Sequence, residues 1–246
     1  MNVSLLFCAA AAICATACDL RAADVVAHYS FDKDFTDGSG GLNLNGVGDA
    51  RISKEAAFGG GALALDGDGD SAWVGDPAFN FSKEDFSIAF WYRRNKGEDV
   101  FEPLVGLGDS VGNTGYAIRL METPPKNKPG LISGVLNDDP QMEVSTDQPM
   151  EQTDVFQHVV FQRRDGNIEL FLNGALVGSK PNMGDVDLRA KNGRPYAFAV
   201  GTRSTLQDGS GSIGSFDGLI DEVWVFNAGL SPEQIKALKE QNAFPQ

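Results

Sequence analysis

The sequence predicts an all-β protein in which two antiparallel sheets form a sandwich, and three observations support this fold class. From Asp24 onward the chain consists of short runs of alternating, β-branched and aromatic residues, most of them four to eight residues long. The chain's 29 glycines punctuate these runs with turns. One convincing helical pattern occurs, at the carboxyl end, so repeated strand–helix–strand units do not fit.

Residues 1–22 are predicted to be a signal peptide rather than part of the fold. An apolar run over 5–15 leads into the Ala-x-Ala pattern of a signal-peptidase site at Ala17, although no Lys or Arg precedes the run. The run is too short to span a bilayer. All three cysteines lie in this segment, so the predicted domain, 24–246, has no disulfide framework. We therefore expect an exported protein.

Two endings of the signal segment remain open. The letters Ala15 to Cys18 loosely resemble a bacterial lipoprotein signal, in which the cysteine is lipidated and becomes the new amino terminus, but Ala15 stands where that pattern prefers Leu. Cleavage near Ala17 or Ala22 would instead release a soluble product. The expected location is the periplasm, the extracellular space or the cell surface, with a lipid anchor on Cys18 as one possibility.

Twelve segments have the composition and length of strands. They are Val25–Phe31, Ala62–Asp66, Ser71–Val74, Phe86–Arg93, Pro103–Gly108, Tyr116–Leu120, Leu131–Leu136, Met142–Ser145, Gln157–Arg163, Asn167–Asn173, Tyr196–Gly201 and Gly218–Phe226.

The clearest local feature is a three-stranded meander in the second half of the chain. Asp165-Gly166 and Asn173-Gly174 each supply the positive backbone angles of a tight hairpin turn between alternating strands.

A helix is predicted over 231–241. Ser231 is placed to cap it, Pro232 suits its first position, and Gln234 completes a capping box. Ile235 and Leu238 form a short apolar stripe, and the helix is expected to close the domain.

The charge balance disfavours polyanionic partners. The net charge is -14, and the basic residues form no cluster. A nucleic acid or an anionic membrane surface is therefore not expected to bind, whereas metal cations are the natural counter-charge.

An unusual carboxylate lies in the last strand candidate, GLIDEVWVF. Strict alternation divides this run into two faces, with Leu219, Asp221, Val223 and Val225 on one and Ile220, Glu222, Trp224 and Phe226 on the other. Asp221 thus has apolar neighbours. An ionised carboxylate in such surroundings costs several kcal/mol unless something compensates it.

The loop after the first strand contains candidate compensators. It offers the oxygen ligands that calcium prefers, interleaved with glycines: Asp32, Asp34, Asp37, Ser39 and Asn43. The first and last strands of a sandwich are often neighbours, so this loop could close over Asp221 around a cation. The alternative is that these residues only form turns, and that Asp221 accepts bonds from amides or points to water.

A second acidic loop, LDGDGDSAW, is predicted to be a tight polar turn rather than a metal site. Asp66, Asp68 and Asp70 alternate as in the start of an EF-hand loop. However, Ser71 stands where that loop needs glycine, and Pro77 stands where it needs a bidentate Glu.

Several segments together resemble a known family. In order they are HYSFDKDFTDGSG, FGGGALALDGDGDSAWV, FSIAFWYR, QHVVFQRRDGNIELFLNGALVG and FDGLIDEVWVFNAGLSPEQI. The chain from Val25 to Leu238 resembles the laminin-G-like, concanavalin-A-like jelly-roll domains of secreted bacterial proteins. The last segment is the most specific part of the likeness. The resemblance implies a two-sheet antiparallel jelly roll.

The resemblance also implies one calcium ion near the paired termini. The family's Asp-x-Ser-Gly element falls on Asp37 and Ser39, and a nearby Asn falls on Asn43. With Asp221 these residues form the expected metal site, Asp37, Asn43 and Asp221. This sequence departs from the family at Gly41 and Leu42, where Asn-Gly is more common, and this difference affects the expected shape of the loop.

Domains of this family include glycan-binding lectins, adhesion modules, glycoside hydrolases and polysaccharide lyases, so the fold does not decide the function. A glycosidase needs two carboxylates about 5 to about 9.5 Å apart in one cleft. The alternating Glu-x-Asp-x-Glu of such hydrolases does not occur, and Asp185 and Asp187 are interpreted as loop acids. The two histidines, His28 and His158, are interpreted as strand residues rather than as bases or ligands.

We therefore predict a secreted, calcium-stabilised carbohydrate-binding or adhesion module without catalysis. The expected ligand contacts, chosen by residue type, are Trp73, Tyr116, Arg119 and Arg203. The alternatives are a structural or protein-interaction module of the cell surface and a polysaccharide-degrading enzyme on the same fold.

Overall fold

The structure is a computed structural model that describes residues 23–95, 101–109, 114–121, 131–136, 142–147, 154–181, 196–203 and 214–244. The first seven strands in these ranges are β1 Val25–Tyr29, β2 Asn45–Val47, β3 Arg51–Ser53, β4 Ala62–Asp66, β5 Ser71–Val74, β6 Phe86–Arg94 and β7 Phe101–Asp109. The others are β8 Thr114–Met121, β9 Leu131–Leu136, β10 Glu143–Ser145, β11 Gln157–Arg164, β12 Asn167–Leu172, β13 Ala175–Pro181, β14 Phe198–Val200 and β15 Asp217–Phe226. Within the same ranges a short 3-10 helix spans Pro77–Phe79, and one α-helix, α1, spans Pro232–Gln241.

These strands form two sheets. The eight-stranded sheet has the order β13-β12-β11-β6-β15-β4-β3, with β1 also paired to β15. The seven-stranded sheet has the order β10-β9-β8-β7-β14-β5-β2. The described pairings are antiparallel, so the predicted two-sheet sandwich is confirmed. The sequence did not reveal β2 and β3, because three residues are too few to show a period.

An aromatic core joins the inner faces of the two sheets. Phe79 stacks on Phe198 with 4.4 Å between ring centroids, and Phe81 stacks on Phe86 at 5.0 Å. Burying each such ring contributes about 1.5 to 3 kcal/mol. Because this core occupies the inner faces, residues that serve a ligand must lie on an outer face or at an end of the sandwich.

The predicted meander is confirmed by β11, β12 and β13. Asp165 and Asn173 have φ of 49° and 50°, and the glycines that follow them also have positive φ. Strands β11 and β12 pair from Val159↔Leu172 to Arg164↔Asn167.

The two ends of the domain meet, as predicted. Strand β1 pairs with β15, with His28 opposite Trp224. Helix α1 begins with the expected capping box, in which the Gln234 amide donates to Ser231 Oγ at 3.3 Å and the Ser231 amide donates to Gln234 Oε1 at 2.8 Å. Ile235 and Leu238 pack on the outer face of the eight-stranded sheet.

A β-bulge in β15 corrects the predicted division of this strand into two faces. The register against β6 shifts between Asp221 and Trp224, and Glu222 has a φ of 52°. The extra residue reverses the alternation. Val223 and Val225 therefore join the inner core, and Asp221 does not share their face.

Within the described ranges, no helix has the length and apolar character needed to cross a membrane. The predicted signal segment with Cys18, and the loop acids Asp185 and Asp187, lie outside the described residues.

Candidate functional site

The outer face of the seven-stranded sheet carries a row of residues that crosses all seven strands. Backbone pairing places these residues side by side in the order Asn45, Trp73, Ala199, Gly106, Ala117, Val135 and Glu143. Their chain neighbours Phe198 and Ile118 belong to the core, so the row faces outward. Small, buried residues form its centre, and the half-buried Trp73 and Glu143 lie towards its two ends.

A cationic and aromatic group lies on the same face. The Cζ atoms of Arg119 and Arg203 are 5.2 and 5.4 Å from the centroid of the Phe101 ring. Arg119 Nε donates to Ser133 Oγ at 3.4 Å, and Arg119 Nη2 lies 3.7 Å from Glu143 Oε2. Arg119 is itself buried, whereas Phe101, Arg203 and Glu143 are half-buried. The attraction of both cations to one ring holds this group in place.

The structure thus brings two predicted ligand residues, Arg119 and Arg203, to one ring and places Trp73 on the same face. The prediction did not include Phe101 and Glu143. Phe101 lies two residues before the predicted strand, and Glu143 reaches this face through the β9–β10 pairing, which no local pattern shows.

The structure corrects the prediction that Tyr116 contacts a ligand. Its side chain is 2% exposed, packs against Phe86 with 5.1 Å between ring centroids, and donates its hydroxyl to the Phe79 carbonyl at 3.2 Å. Strand alternation points it into the core, opposite in direction to Arg119. Its position removes it from the candidate site.

Asp221 is fully buried on the outer face of the eight-stranded sheet. Its Oδ2 accepts hydrogen bonds from the amides of Ala57 at 2.8 Å and Phe58 at 3.1 Å. Its Oδ1 has no hydrogen-bond partner among the described residues. Burial raises the pKa of Asp221 to about 7, the two amide bonds oppose this rise, and the charge of Glu222 adds to it. The Phe58 ring covers this region by packing edge-on against Trp91, 5.7 Å away.

The adjacent Glu222 is almost fully buried and is paired with a histidine. Glu222 Oε2 lies 2.6 Å from His28 Nε2, and the His28 ring stacks on Trp224 at 3.5 Å between centroids. The bulge therefore directs two adjacent acids to different partners, Asp221 to backbone amides and Glu222 to an imidazole.

Asp37 and Asn43 lie together in the loop beside β1. Asp37 Oδ1 accepts from the His28 and Ser39 amides, at 2.9 and 2.8 Å, and from Ser39 Oγ at 2.6 Å. Its Oδ2 accepts from the Leu42 amide at 3.1 Å, and Asn43 Oδ1 accepts from the Asp37 amide at 3.0 Å. Burial acts to raise the pKa of Asp37, but the hydrogen bonds that its carboxylate accepts from His28, Ser39 and Leu42 outweigh burial, and the pKa is lowered. The loop is thus fastened to β1, whereas Asp221 bonds to a different segment.

An acidic cluster at the connections between the sheets includes two residues, Asp66 and Asp70, of the loop that was predicted to be a tight polar turn. One carboxylate oxygen each from Asp49, Asp66 and Asp70 lies within 4.8 Å of the other two. The predicted turn is present, because the Asp68 amide donates to Asp66 Oδ1 at 3.0 Å. Burial, together with the charges of Asp66 and Asp49, raises the pKa of Asp70. Asp49 was missed because it lies in the connection between β2 and β3, which the sequence did not reveal.

Comparisons with known proteins agree with this architecture. A family model described as the concanavalin A-like lectin/glucanases superfamily matches residues 66–236. No curated protein matches the sequence.

Three solved structures illustrate the fold likeness. Domain 4 of AbnA, a GH43 extracellular arabinanase from Geobacillus stearothermophilus in complex with arabinotriose, has 20% identity and a TM-score of 0.63, covering 89% of this chain and 99% of that one. The binding domain of botulinum neurotoxin DC in complex with SialylT has 15% identity and a TM-score of 0.63, covering 89% and 52%. A heptameric SAP-like pentraxin from Limulus polyphemus has 14% identity and a TM-score of 0.51, covering 65% and 71%.

Proposed function

Because this chain belongs to the concanavalin A-like lectin/glucanases superfamily, we propose that it is a carbohydrate-binding module that holds a glycan on the outer face of its seven-stranded sheet. The observation that carries this proposal is the half-buried Phe101 ring with the guanidinium groups of Arg119 and Arg203 beside it. Trp73 on the same face provides a second aromatic surface.

These residue types suit sugar recognition. An aromatic ring packs against the apolar C–H face of a sugar, and a few placed polar groups fix its orientation. In the proposed site Trp73 and Phe101 supply the packing surfaces. Arg203 donates hydrogen bonds to sugar hydroxyls, and Glu143 accepts them. Arg119 holds Phe101 and Glu143 in position from beneath, because it is buried and close to both.

The similar structures support the same ligand class. One is described in complex with arabinotriose and another with SialylT, and both are a domain or a binding domain of a larger protein. We propose binding without catalysis. A glycosidase needs two carboxylates in one cleft, and among the residues named here for the glycan site only Glu143 has a carboxylate. Release of reducing ends from a polysaccharide would contradict that part of the proposal.

Calcium is part of the proposal, and the site residues fit it unequally. The buried, unpartnered Oδ1 of Asp221 suits a cation, which would compensate the negative charge of this carboxylate. Asp37 and Asn43 fit less well as direct ligands, because hydrogen-bond donors of the loop and of β1 already bond to both carboxylate oxygens of Asp37 and to Asn43 Oδ1. We assign these two residues the role of shaping the loop beside β1.

Export completes the proposal. The apolar segment and the Ala17 cleavage pattern in residues 1–22 support a secreted or cell-surface protein, with lipidation at Cys18 as the anchored form. Mass spectrometry of the mature amino terminus distinguishes the two forms, and an intact Met1 in the secreted fraction would contradict both.

A glycan array followed by calorimetry tests the function. The wild-type protein should bind at least one array glycan, and Trp73→Ala and Arg203→Ala should each weaken that affinity at least about tenfold, or about 1.4 kcal/mol. Leu176→Ala is the matched control, because this exposed residue lies on the other sheet, and its affinity should stay within about twofold. No bound glycan, or wild-type affinity in both site variants, would refute the proposal.

A further inference from the structure

We propose that Asp49, Asp66 and Asp70 form a binding site for a divalent cation of calcium's size, separate from Asp221, at one end of the sandwich. The position follows from the topology. Asp49 lies between β2 and β3, and Asp66 and Asp70 flank the connection from β4 to β5. Each connection passes from one sheet to the other. An ion bound by all three carboxylates would therefore join two crossings between the sheets.

The buried carboxylate of Asp70 is the strongest observation. Asp70 is 2% exposed, and its Oδ1 accepts from the Asp49 amide at 2.9 Å. Its Oδ2 is buried and has no hydrogen-bond partner in the described part of the chain. A buried oxygen without a partner destabilises the folded state, and more so when it is charged. A cation beside the Asp49 and Asp66 carboxylates would satisfy it.

A glycine at position 48 lets the Asp70 carboxylate come close to the backbone between β2 and β3. Gly48 has a φ of +71°, and a Cβ added there would lie 2.0 Å from Asp70 Oδ1. A side chain at position 48 would thus push Asp70 away from the Asp49 amide. Glycine at this position preserves both the bond to that amide and the approach of the three carboxylates.

The local charge favours a cation. Among the described residues, no Lys, Arg or His side chain forms an ion pair with Asp49, Asp66 or Asp70. Asp217 stands directly opposite Asp66 in the register of β15 and β4 and adds a fourth acid. Like charges in directly opposed positions destabilise a sheet, and a divalent ion would remove this repulsion.

The spacing suits calcium. Calcium binds oxygens at about 2.3 to 2.6 Å, so two ligands on opposite sides of the ion lie about 4.6 to 5.2 Å apart. Because the three carboxylate oxygens lie within 4.8 Å of one another, all of them can reach one such ion. Three carboxylates supply three to six of the six to eight oxygens that calcium takes. Because Asp49 and Asp66 are exposed, water can complete the shell.

Calorimetric titration of calcium chloride into the chelator-stripped full chain tests this site. Because Asp221 is not a residue of this site, the titration is made both in the wild-type protein and in the Asp221→Asn background. In both backgrounds Asp66→Asn should weaken calcium binding at this site at least about tenfold. Asp68→Asn is the matched control: it removes an exposed acid from the same turn that is not in the cluster, and should change the affinity by less than about twofold.

Asp70→Asn separates an ion site from a turn-forming role. If Asp70 binds an ion, the variant should melt higher than the wild-type protein in chelator, because a buried charge is gone, and should lose the part of the calcium-induced rise due to this site. If Asp70 only forms the turn, the variant should melt lower by the same amount with and without calcium. This last result would overturn the proposal. An Asp66→Asn isotherm equal to wild type would also overturn it, as would the absence of calcium binding at millimolar concentrations in the Asp221→Asn background.

Discussion

Replacing Asp221 with asparagine should remove most of a pH dependence that this buried carboxyl imposes on stability. Burial raises its pKa in the folded protein to about 7 from an ordinary 3.8. Between these two values the folded state holds a proton that the unfolded chain has released. Stability from this group is therefore present at low pH and is lost as the pH rises to about 7. The full range is about 3 pH units, or about 4 kcal/mol at 1.36 kcal/mol per unit.

Urea unfolding in chelator at pH 5 and pH 8 measures the effect. About two of these pH units lie in this window, so the free energy of unfolding of the wild-type protein should fall by about 3 kcal/mol more than that of Asp221→Asn. The variant keeps an oxygen for the Ala57 and Phe58 amides, and should be the more stable protein at pH 8. Titrating groups far from Asp221, Asp70 among them, are common to both proteins and cancel in the comparison.

Calcium at pH 8 completes the comparison. It should raise the stability of the wild-type protein more than that of Asp221→Asn, because the ion compensates a charge that only the wild type has. Parallel pH profiles for the two proteins would refute the reasoning about burial. Equal gains from calcium would refute the assignment of the ion to Asp221.

Three further predictions concern the scaffold. Ser231→Ala should lower the free energy of unfolding by about 1 kcal/mol, measured in urea, because the capping box at α1 is lost. Gly134→Ala should cost about 1 to 3 kcal/mol in the same assay, since its Cβ would lie 2.2 Å from the Phe161 ring across the core; an unchanged midpoint would contradict the close approach of the sheets. Glu222→Gln should cost about 1 kcal/mol, because it replaces a charged hydrogen bond with a neutral one in the part-buried contact with His28, and an unchanged value would show that the charge of Glu222 contributes no stability.

Local patterns predicted the elements that local chemistry determines. The meander required only the Asp165-Gly166 and Asn173-Gly174 turns between alternating strands, and α1 required only the residues around Ser231. The β1–β15 pairing was predicted from a general property of sandwiches and is confirmed. The family resemblance is confirmed by the match over residues 66–236.

The remaining features depend on contacts that no local pattern contains. The bulge at Glu222 places a glutamate in the left-handed region, so alternation assigned Val223 and Val225 to the wrong face. Trp73 and Gly106 lie in the same outward-facing row only because strand β14, from much later in the chain, lies between β5 and β7. Their separation in the sequence does not reveal this. Asp49 joins the acidic cluster only because two connections cross between the sheets at the same end. Tyr116 was chosen by residue type, although its place in the strand already pointed it away from Arg119.

The central claim is that a glycan lies on the outer face of the seven-stranded sheet, and the indole signals of the three tryptophans test it directly. Trp73 lies on that face, whereas Trp91 and Trp224 belong to strands of the other sheet. In a nitrogen-15 NMR titration with the strongest array glycan, the Trp73 indole signal should shift with the same dissociation constant as calorimetry measures, while the other two stay in place. A shift confined to Trp91 or Trp224 would contradict the account.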